Sequence, residues 1–349
     1  MSQISIFNNM NLSIIIPHLK GKTILNECIQ SIYDTLDSIE YELIIVNNNC
    51  QDNSIQYIAK KFSQCKIIDS NINLGYAGGC NLGAKNATGK YLLFLNNDTI
   101  ITKNCISELI NTIEKNNNIS SVQPKIKNYF EKNYFDYAGG CGGYIDHLGY
   151  PFVKGRLFDT IEKDTGQYDK ETKIFWASGT GFLTSSDIFR KIEGFDESLF
   201  AHMEEIDYHW KCLMLGYDIY IQPNAVLYHK GGQTLPYGSF KKIFLNHRNS
   251  MILFITNNLK LSIINLIKRI TLEKLTIIFY AIKLNIKGSL AVLLANLWLI
   301  INLKYIVERK KKNVNTYKNN KKISSELMKK YSIVKKYYIN KKKKFSNIN

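Results

Sequence analysis

Residues 91–100, YLLFLNNDTI, run from an apolar stretch straight into Asn96, Asn97 and Asp98. A carboxylate at the end of a buried strand, beside two short amides, offers hard oxygen contacts to a divalent cation. Such an ion would neutralise the charge on a departing diphosphate. A plain polar turn explains the same triplet, so its meaning depends on what gathers around it. In GFDESLFAHMEEIDYHWKCLMLGY (194–217), Glu204, Glu205 and Asp207 cluster where a helix should begin. Negative charge is favoured there by the helix dipole, and a carboxylate there can also take a proton from a hydroxyl nucleophile. Asp207 and Lys211 have the spacing of a surface ion pair.

Two more stretches carry candidate chemistry. In NLGYAGGCNLGAKNATG (73–89), Gly75, Gly78 and Gly79 let the backbone approach a ligand or a neighbouring element closely. Their spacing matches neither a dinucleotide fingerprint nor a P-loop, and a tight strand-to-helix turn would use the same glycines. WASGTGF (176–182) sets an aromatic and small residues before a strand, and YHKGGQTL (228–235) puts His229 after another. A histidine beside Gly-Gly at a strand end suits a ligand and a structural role equally.

The elements that must position these residues are legible in the hydrophobic pattern. LSIIIP (12–17), ELIIV (42–46), KIIDS (66–70), YLLFL and SSVQP (120–124) read as strands. TILNECIQSIYDTL (23–36), SIQYIAKKF (54–62) and CISELINTIEK (105–115) read as helices. Apolar strands alternating with amphipathic helices predict a mostly parallel sheet covered on both faces. Ligands of such sheets bind at the strands' carboxyl ends, here marked by Pro17-His18, Asn47-Asn48-Asn49, Asn71 and Asn96-Asn97-Asp98. Residues 127–173 read as loops and hairpins, KIFWASGTGFLTSS as a return to strand, and 204–217 as a helix closed by Gly216 before the strand DIYIQP.

The net charge of +17 is unevenly placed: residues 308–349 hold 15 Lys and Arg against 2 Glu, a net +13. That charge could meet anionic lipid or nucleic acid, but the run lacks the folded basic module with interleaved aromatics expected of an RNA binder. After Gly238 the chain reads as apolar helices dotted with Lys and Arg. Residues 289–307 come nearest to a membrane span, but Asn296, Asn302 and Lys304 interrupt them. An interfacial amphipathic helix followed by a polybasic tail is expected, with packing on the core as the alternative. Seven cysteines without a CxxC pair argue against a disulfide framework or structural zinc, and fit a reducing cytosol. No secretory signal is visible at the N-terminus.

In order, SIIIP, IIVNNNCQDNS, NINLGYAGGCNLGAKNATGKYLLFLNNDT, the segment from FWASGTGF to CLMLGY, and YHKGGQTL resemble family-2 inverting glycosyltransferases. The rhamnosyltransferase-like subgroup is the nearest. The resemblance runs from about Leu12 to Leu235 and implies an α/β GT-A fold, a Rossmann-like mostly parallel sheet flanked by helices, with a C-terminal amphipathic helical extension. From the helices and charge described above, 239–308 is expected to be a membrane-associating helical region and 309–349 a Lys-rich tail, while the resemblance implies a catalytic domain within 1–238. It further implies a nucleotide-diphosphosugar donor, a glycan or lipid-linked acceptor, Mg²⁺ or Mn²⁺, and work at the inner face of the cytoplasmic membrane.

By position, Glu205 would be the general base and Asp98, with His229, the metal contact. Pro17, His18, Asn47, Asn48, Gly75, Asn96 and Asn97 would surround the donor nucleotide, and Trp176, Ser178, Gly179 and Glu204 would line the sugar and acceptor pocket. Three positions depart from the family pattern: Asn47 replaces an Asp, PHLKG (17–21) replaces Pro-x-Tyr-Asn, and Glu205 replaces an Asp. The competing expectation is a non-catalytic sugar-nucleotide binder tethered by its basic tail. A nucleotidyltransferase would need a pyrophosphorylase signature after the first strand, and none is present.

Overall fold

A computed structural model describes residues 11–36, 39–231, 238–317, 319 and 323–348. Four parallel strands form one half of the main sheet: β1 (Leu12–His18), β2 (Tyr41–Asn48), β3 (Lys66–Ser70) and β4 (Tyr91–Leu95). Helices α1 (Lys22–Tyr33), α2 (Ser54–Lys61) and α3 (Gly75–Lys85) connect them. Every residue of β4 is buried, and its side chains alternate between two cores. Leu93 and Leu95 enter one; Leu92 and Phe94 enter the other, where Phe94 meets Phe182, Phe189 and Phe195 at ring separations of 5.5, 5.0 and 5.2 Å. Truncating such a ring to alanine costs roughly 3–5 kcal/mol, so the strand before Asn96 is rigidly held.

Beyond β4 come β5 (Thr99–Ile101), α4 (Cys105–Ile113) and β6 (Ile119–Asn128). Residues 127–173, expected as loops and hairpins, contain a small second sheet of β7 (Gly143–Asp146), β8 (Pro151–Val153), β9 (Arg156–Leu157) and β10 (Thr160–Ile161), followed by β11 (Thr172–Lys173). Then follow β12 (Gly181–Ser185), α5 (Ser186–Lys191), α6 (Glu204–Met214) and β13 (Asp218–His229). The main sheet runs β11-β13-β6-β12-β4-β1-β2-β3, with β5 also paired to β13. Strand β12 lies antiparallel between β4 and β6. Its amino end therefore meets the carboxyl end of β4, with Gly181 opposite Leu95 and the Asn96 N–H donating to the Thr180 carbonyl at 3.0 Å.

The C-terminal third comprises α7 (Phe240–Asn257), α8 (Ile263–Ile282), α9 (Ile286–Ile301), α10 (Leu303–Tyr317) and β14 (Met328–Lys329). The expected boundary at 308/309 falls inside α10, and the segment expected as a Lys-rich tail folds back: β14 pairs in parallel with β7. Leu327, Ile333, Tyr337, Phe345 and Ile348 are buried, and the Phe345 ring sits 5.4 Å from that of Tyr144. Lysine stems can cover apolar surface while their heads stay wet, so lysine density hid these anchors. Among the described residues no single helix is long and apolar enough to cross a membrane; α9 and α10 together would be, but are bent by 72°.

Candidate active site

The strand ends converge on one edge, but several predicted residues support that edge from below. His18 is fully buried; its Nε2 lies 2.7 Å from Ser54 Oγ and its Nδ1 2.8 Å from Asn97 Nδ2. Burial lowers its pKa to about 4, so the neutral ring ties β1 to the start of α2 and to the turn after β4 and has no open face for a base. Asn97 spends its amide on that ring and on the Lys20 carbonyl. Asn48 is buried, donating to the Gly75 carbonyl at 2.8 Å and accepting from the Leu74 N–H at 2.8 Å. Asn47, half-buried, donates to Asp69 Oδ1 at 2.7 Å and accepts from the Cys50 N–H. Asp69 thus brings a carboxylate to the place where Asn47 lacks one. Pro17 and Asn96 remain partly open at the same edge.

Gly75 has φ +73°, and a Cβ there would lie 2.2 Å from the Phe200 carbonyl oxygen. The glycine stretch read as a turn is thus the first turns of α3, and it seats the loop that leads into α6. That loop holds three non-glycine residues at positive φ: Phe200 (65°), His202 (67°) and Met203 (74°). Such conformations persist only where the surroundings over-determine them. Here Asn249 of α7 aims one amide nitrogen at the carbonyls of Leu199, Ala201 and His202, at 2.9, 3.0 and 2.7 Å. Arg248 donates to the Ser198 and Leu199 carbonyls, and the Ala77 N–H donates to that of Phe200.

At the head of α6, Glu204 is buried and Glu205 partly open. Oε2 of each is sealed from solvent without a hydrogen-bond partner. Burial, reinforced by the neighbouring Glu205, raises the Glu204 carboxyl well above the ordinary range. Burial pushes Glu205 up to about 7, partly offset by backbone N–H groups including that of Gly179. Tyr76 is enclosed beside the pair and donates its hydroxyl to the Gly179 carbonyl. A group poised near neutrality at an accessible edge suits proton abstraction. Asp207, two residues on, differs. It is not the surface ion pair expected from its spacing to Lys211: it is buried, 2.7 Å from Lys211, from Asn257 of α7 and from Arg309 of α10. Against the effect of burial, Arg309 and Lys211 hold its carboxylate well below the usual range.

Asp98 and His229 come together, with Asp98 Oδ1 3.1 Å from His229 Nε2. That nitrogen is buried and not aligned for a hydrogen bond. His229 Nδ1 lies 2.9 Å from Asp136 Oδ1, a residue the sequence reading left inside a loop segment. Burial would lower the imidazole's pKa, but Asp136 and Asp98 hold it up to about 10. An imidazole fixed through Nδ1, with Nε2 beside a carboxylate, is a donor set that fits a divalent cation in exchange for the proton that Nε2 carries without one.

The remaining predicted residues are mostly internal. Trp176 is buried with Nε1 donating to the Tyr144 carbonyl, and its ring covers Gly143. Ser178 is buried and takes Gln123 Oε1 on its backbone N–H. Of the four pocket residues only Gly179 and Glu204 reach Glu205 directly, through the N–H contact and the carboxylate pair. Residues 232–235 of YHKGGQTL, and residues 1–10 read for a secretory signal, lie outside the described residues. All seven cysteines are free.

Residues 13–192, just over half of the chain, match Glycosyl transferase family 2. Poly-beta-1,6-N-acetyl-D-glucosamine synthase of Staphylococcus epidermidis is 25% identical over 216 residues, covering 59% of this chain and 48% of that protein. The low-salt glycan biosynthesis hexosyltransferase Agl10 of Haloferax volcanii is 26% identical over 250 residues, covering 69% and 75%. The chain thus spans about half the length of the first relative and three-quarters of the second. In fold it is similar to the crystal structure of GalNAc-T7 with UDP, GalNAc and Mn²⁺, at a TM-score of 0.57 and 15% identity over 72% of this chain and 48% of that one.

Proposed function

The chain belongs to glycosyl transferase family 2, and from that premise we propose that it is an inverting glycosyltransferase of the rhamnosyltransferase-like subgroup. It moves a sugar from a nucleotide diphosphosugar to a hydroxyl of a glycan or lipid-linked acceptor, in cell-surface polysaccharide synthesis at the inner face of the cytoplasmic membrane. The observation that carries the reading is Glu205: a carboxylate raised towards neutrality, with an unpaired oxygen. It stands behind Gly179, where the amino end of β12 meets the carboxyl end of β4 that leads into Asp98. The names of the relatives, a glucosamine-polymer synthase and a hexosyltransferase of glycan biosynthesis, agree with the substrate class.

Glu205 accepts the acceptor's hydroxyl proton as that oxygen bonds to the anomeric carbon. The bond from that carbon to the diphosphate breaks, its electron pair leaves with the nucleotide diphosphate, and the configuration inverts in one displacement. Asp98 and His229 would hold Mg²⁺ or Mn²⁺, which supplies charge neutralisation for the leaving diphosphate. Asp136 keeps His229 in the required orientation. Pro17, Asn47 and Asn96 border the nucleotide, while His18, Asn48 and Asn97 brace the strand ends beneath it.

The test is a thermal-shift screen of UDP-, dTDP- and GDP-sugars with and without Mn²⁺, followed by transfer assays on Glu205→Gln. One nucleotide class should raise the melting temperature by a few degrees, and the variant should keep that shift while losing transfer. Wild-type turnover in the variant would remove Glu205 from the chemistry.

A further inference from the structure

Helix α8 is built inside out. Its fully buried side chains are Arg269 and Glu273, one turn apart and 3.0 Å from each other. Arg269 donates to the Leu148 carbonyl and Ser250 Oγ, and Glu273 accepts from Tyr150 and lies 2.6 Å from His247 Nδ1. The opposite face turns Ile263, Ile264, Ile267, Ile278 and Ile282 to the outside, each more than half exposed. Helix α9, packed beside it, also exposes Ile286, Ile300 and Ile301. A soluble helix buries its apolar stripe and wets its charges; α8 instead buries an ion pair and exposes a row of isoleucines, and exposed apolar faces of this kind mark interaction surfaces.

Along one border of that face runs a groove of about 700 Å³ between α8 and the folded C-terminal segment. Leu148 and Ile267 give it an apolar floor, and Lys268, Lys330, Lys335 and Lys336 line it. Lys336 is engaged with the Ile348 carbonyl. Lys268, Lys330 and Lys335 are exposed and form no ion pair among the described residues. An apolar face bordered by unneutralised ammonium groups is complementary to a bilayer surface bearing anionic headgroups, where each lysine near the surface strengthens binding. A second copy of the chain fits poorly, because a two-fold contact on this face would bring two lysine borders together.

We propose that α8 and α9 lie on the membrane with their isoleucines among the acyl chains. In this arrangement the groove beside α8 takes the phosphate headgroup of an anionic bilayer lipid on Lys268, Lys330 and Lys335. The inference rests on the reading that the chain works at a membrane face, and not on its transfer chemistry.

The test is co-sedimentation of the full chain with phosphatidylcholine vesicles, with and without phosphatidylglycerol. It compares wild type with Ile264→Glu/Ile267→Glu and with Lys268→Gln/Lys330→Gln/Lys335→Gln. All five positions are exposed, and donor-induced thermal shifts should be unchanged in both variants. Wild type should favour the anionic vesicles. The lysine variant should lose about a hundredfold of that partitioning, and the isoleucine variant should lose binding to both vesicle types. Wild type ignoring every vesicle would overturn the membrane reading itself. Vesicle binding that the lysine variant retains in full would overturn the groove alone. Self-association abolished by the isoleucine variant, in place of vesicle binding, would make the face a subunit contact. Displacement from anionic vesicles by inorganic phosphate, beyond that by chloride of equal ionic strength, would assign the groove to a soluble phosphoester instead.

Discussion

Helices α6 and α8 both carry glutamates into the interior, and the environments push those glutamates in opposite directions. On α6, Glu204 and Glu205 each keep an unpaired oxygen, and burial raises both carboxyls. On α8, Glu273 is fully enclosed, yet Arg269 and His247 outweigh burial and hold it down to about 2. The difference lies in the partners. Enclosing a carboxylate without a counter-charge favours its protonated form, while enclosing it with one fixes the charge. Glu204 and Glu205 store reactivity; Glu273 joins a helix to the core. Asp207 makes the contrast within α6 itself, since two residues beyond Glu205 it faces the cations of Lys211 and Arg309 and anchors α6 to α7 and α10.

The largest effect expected from this contrast is on chemistry. Glu205→Gln should lower the turnover of sugar transfer by about 10²- to 10⁴-fold, with donor binding kept. Steady-state kinetics beside a donor thermal shift would measure it. An equal loss from Asp207→Asn without any change in stability would break the distinction, because that residue belongs to the architecture. Close behind comes Glu273→Ala, which leaves Arg269 enclosed without its partner and should cost roughly 3–5 kcal/mol of stability, read from urea unfolding. Asn249→Ala should come next. Released from three carbonyls, the loop before Glu205 can shift, and a displacement of about 1 Å costs on the order of 10²-fold in turnover. Unchanged donor affinity with a displaced acidic limb in the pH–rate profile would separate lost positioning from unfolding.

Much of the first half of the chain was legible because its signals are local. Every strand from β1 to β4 and the helices α1, α2 and α4 were visible from apolar runs and helical spacing, with boundaries within a few residues; α3 was less legible, because Gly75, Gly78 and Gly79, which read as a turn, lie inside it. The antiparallel insertion of β12 was not, since nothing within GFLTS states which strands it joins. Nor was β14: a two-residue strand has no period, and its partner β7 lies some 180 residues earlier. The same limit applies to the candidate site. Asp98, Glu205 and His229 stood out because strand ends and helix starts can be read locally. Asp136 and Asn249 act across the fold, on His229 and on the carbonyls of 199–202, so their spacing along the chain carries no signal. His18, Asn48 and Asn97 looked like ligand residues because polar side chains at strand ends look alike whether they face a crevice or each other.

The contrast between the glutamates extends to pH. Glu205 keeps its proton to a higher pH in the folded chain than in the unfolded one, about 7 against an ordinary value of 4.5. The folded state therefore binds more protons across that window, and its stability falls as pH rises from about 4.5 to about 7. Glu273 behaves oppositely: its contribution is complete above about 4.5 and is lost as pH falls through about 2. Glu205→Gln should thus raise the melting temperature above pH 7 and lose that advantage below pH 4.5, while its transfer stays depressed throughout. Scanning calorimetry at the two pH values would check it, and a variant less stable than wild type at pH 8 would contradict the assignment of burial as the dominant cause.

The smallest effect should come from removing both charges of α8 at once. Replacing Arg269 and Glu273 together by leucine takes away the pair's mutual attraction, but also the cost of stripping water from two ions. Exchanges of this kind are often neutral or stabilising. His247 loses its partner in the double variant, yet its side chain is 19% exposed and can turn to water. Tyr150 loses the acceptor of its hydroxyl and its contact with the guanidinium, 3.6 Å from its ring. The double variant should therefore unfold within about 1 kcal/mol of wild type, against several for Glu273→Ala alone. A double-mutant cycle in urea would supply the coupling energy. If the double variant were as unstable as the single one, the buried pair would contribute more than a joint, and the pairing of charge on α8 would have to be read as specifically required for docking the helix.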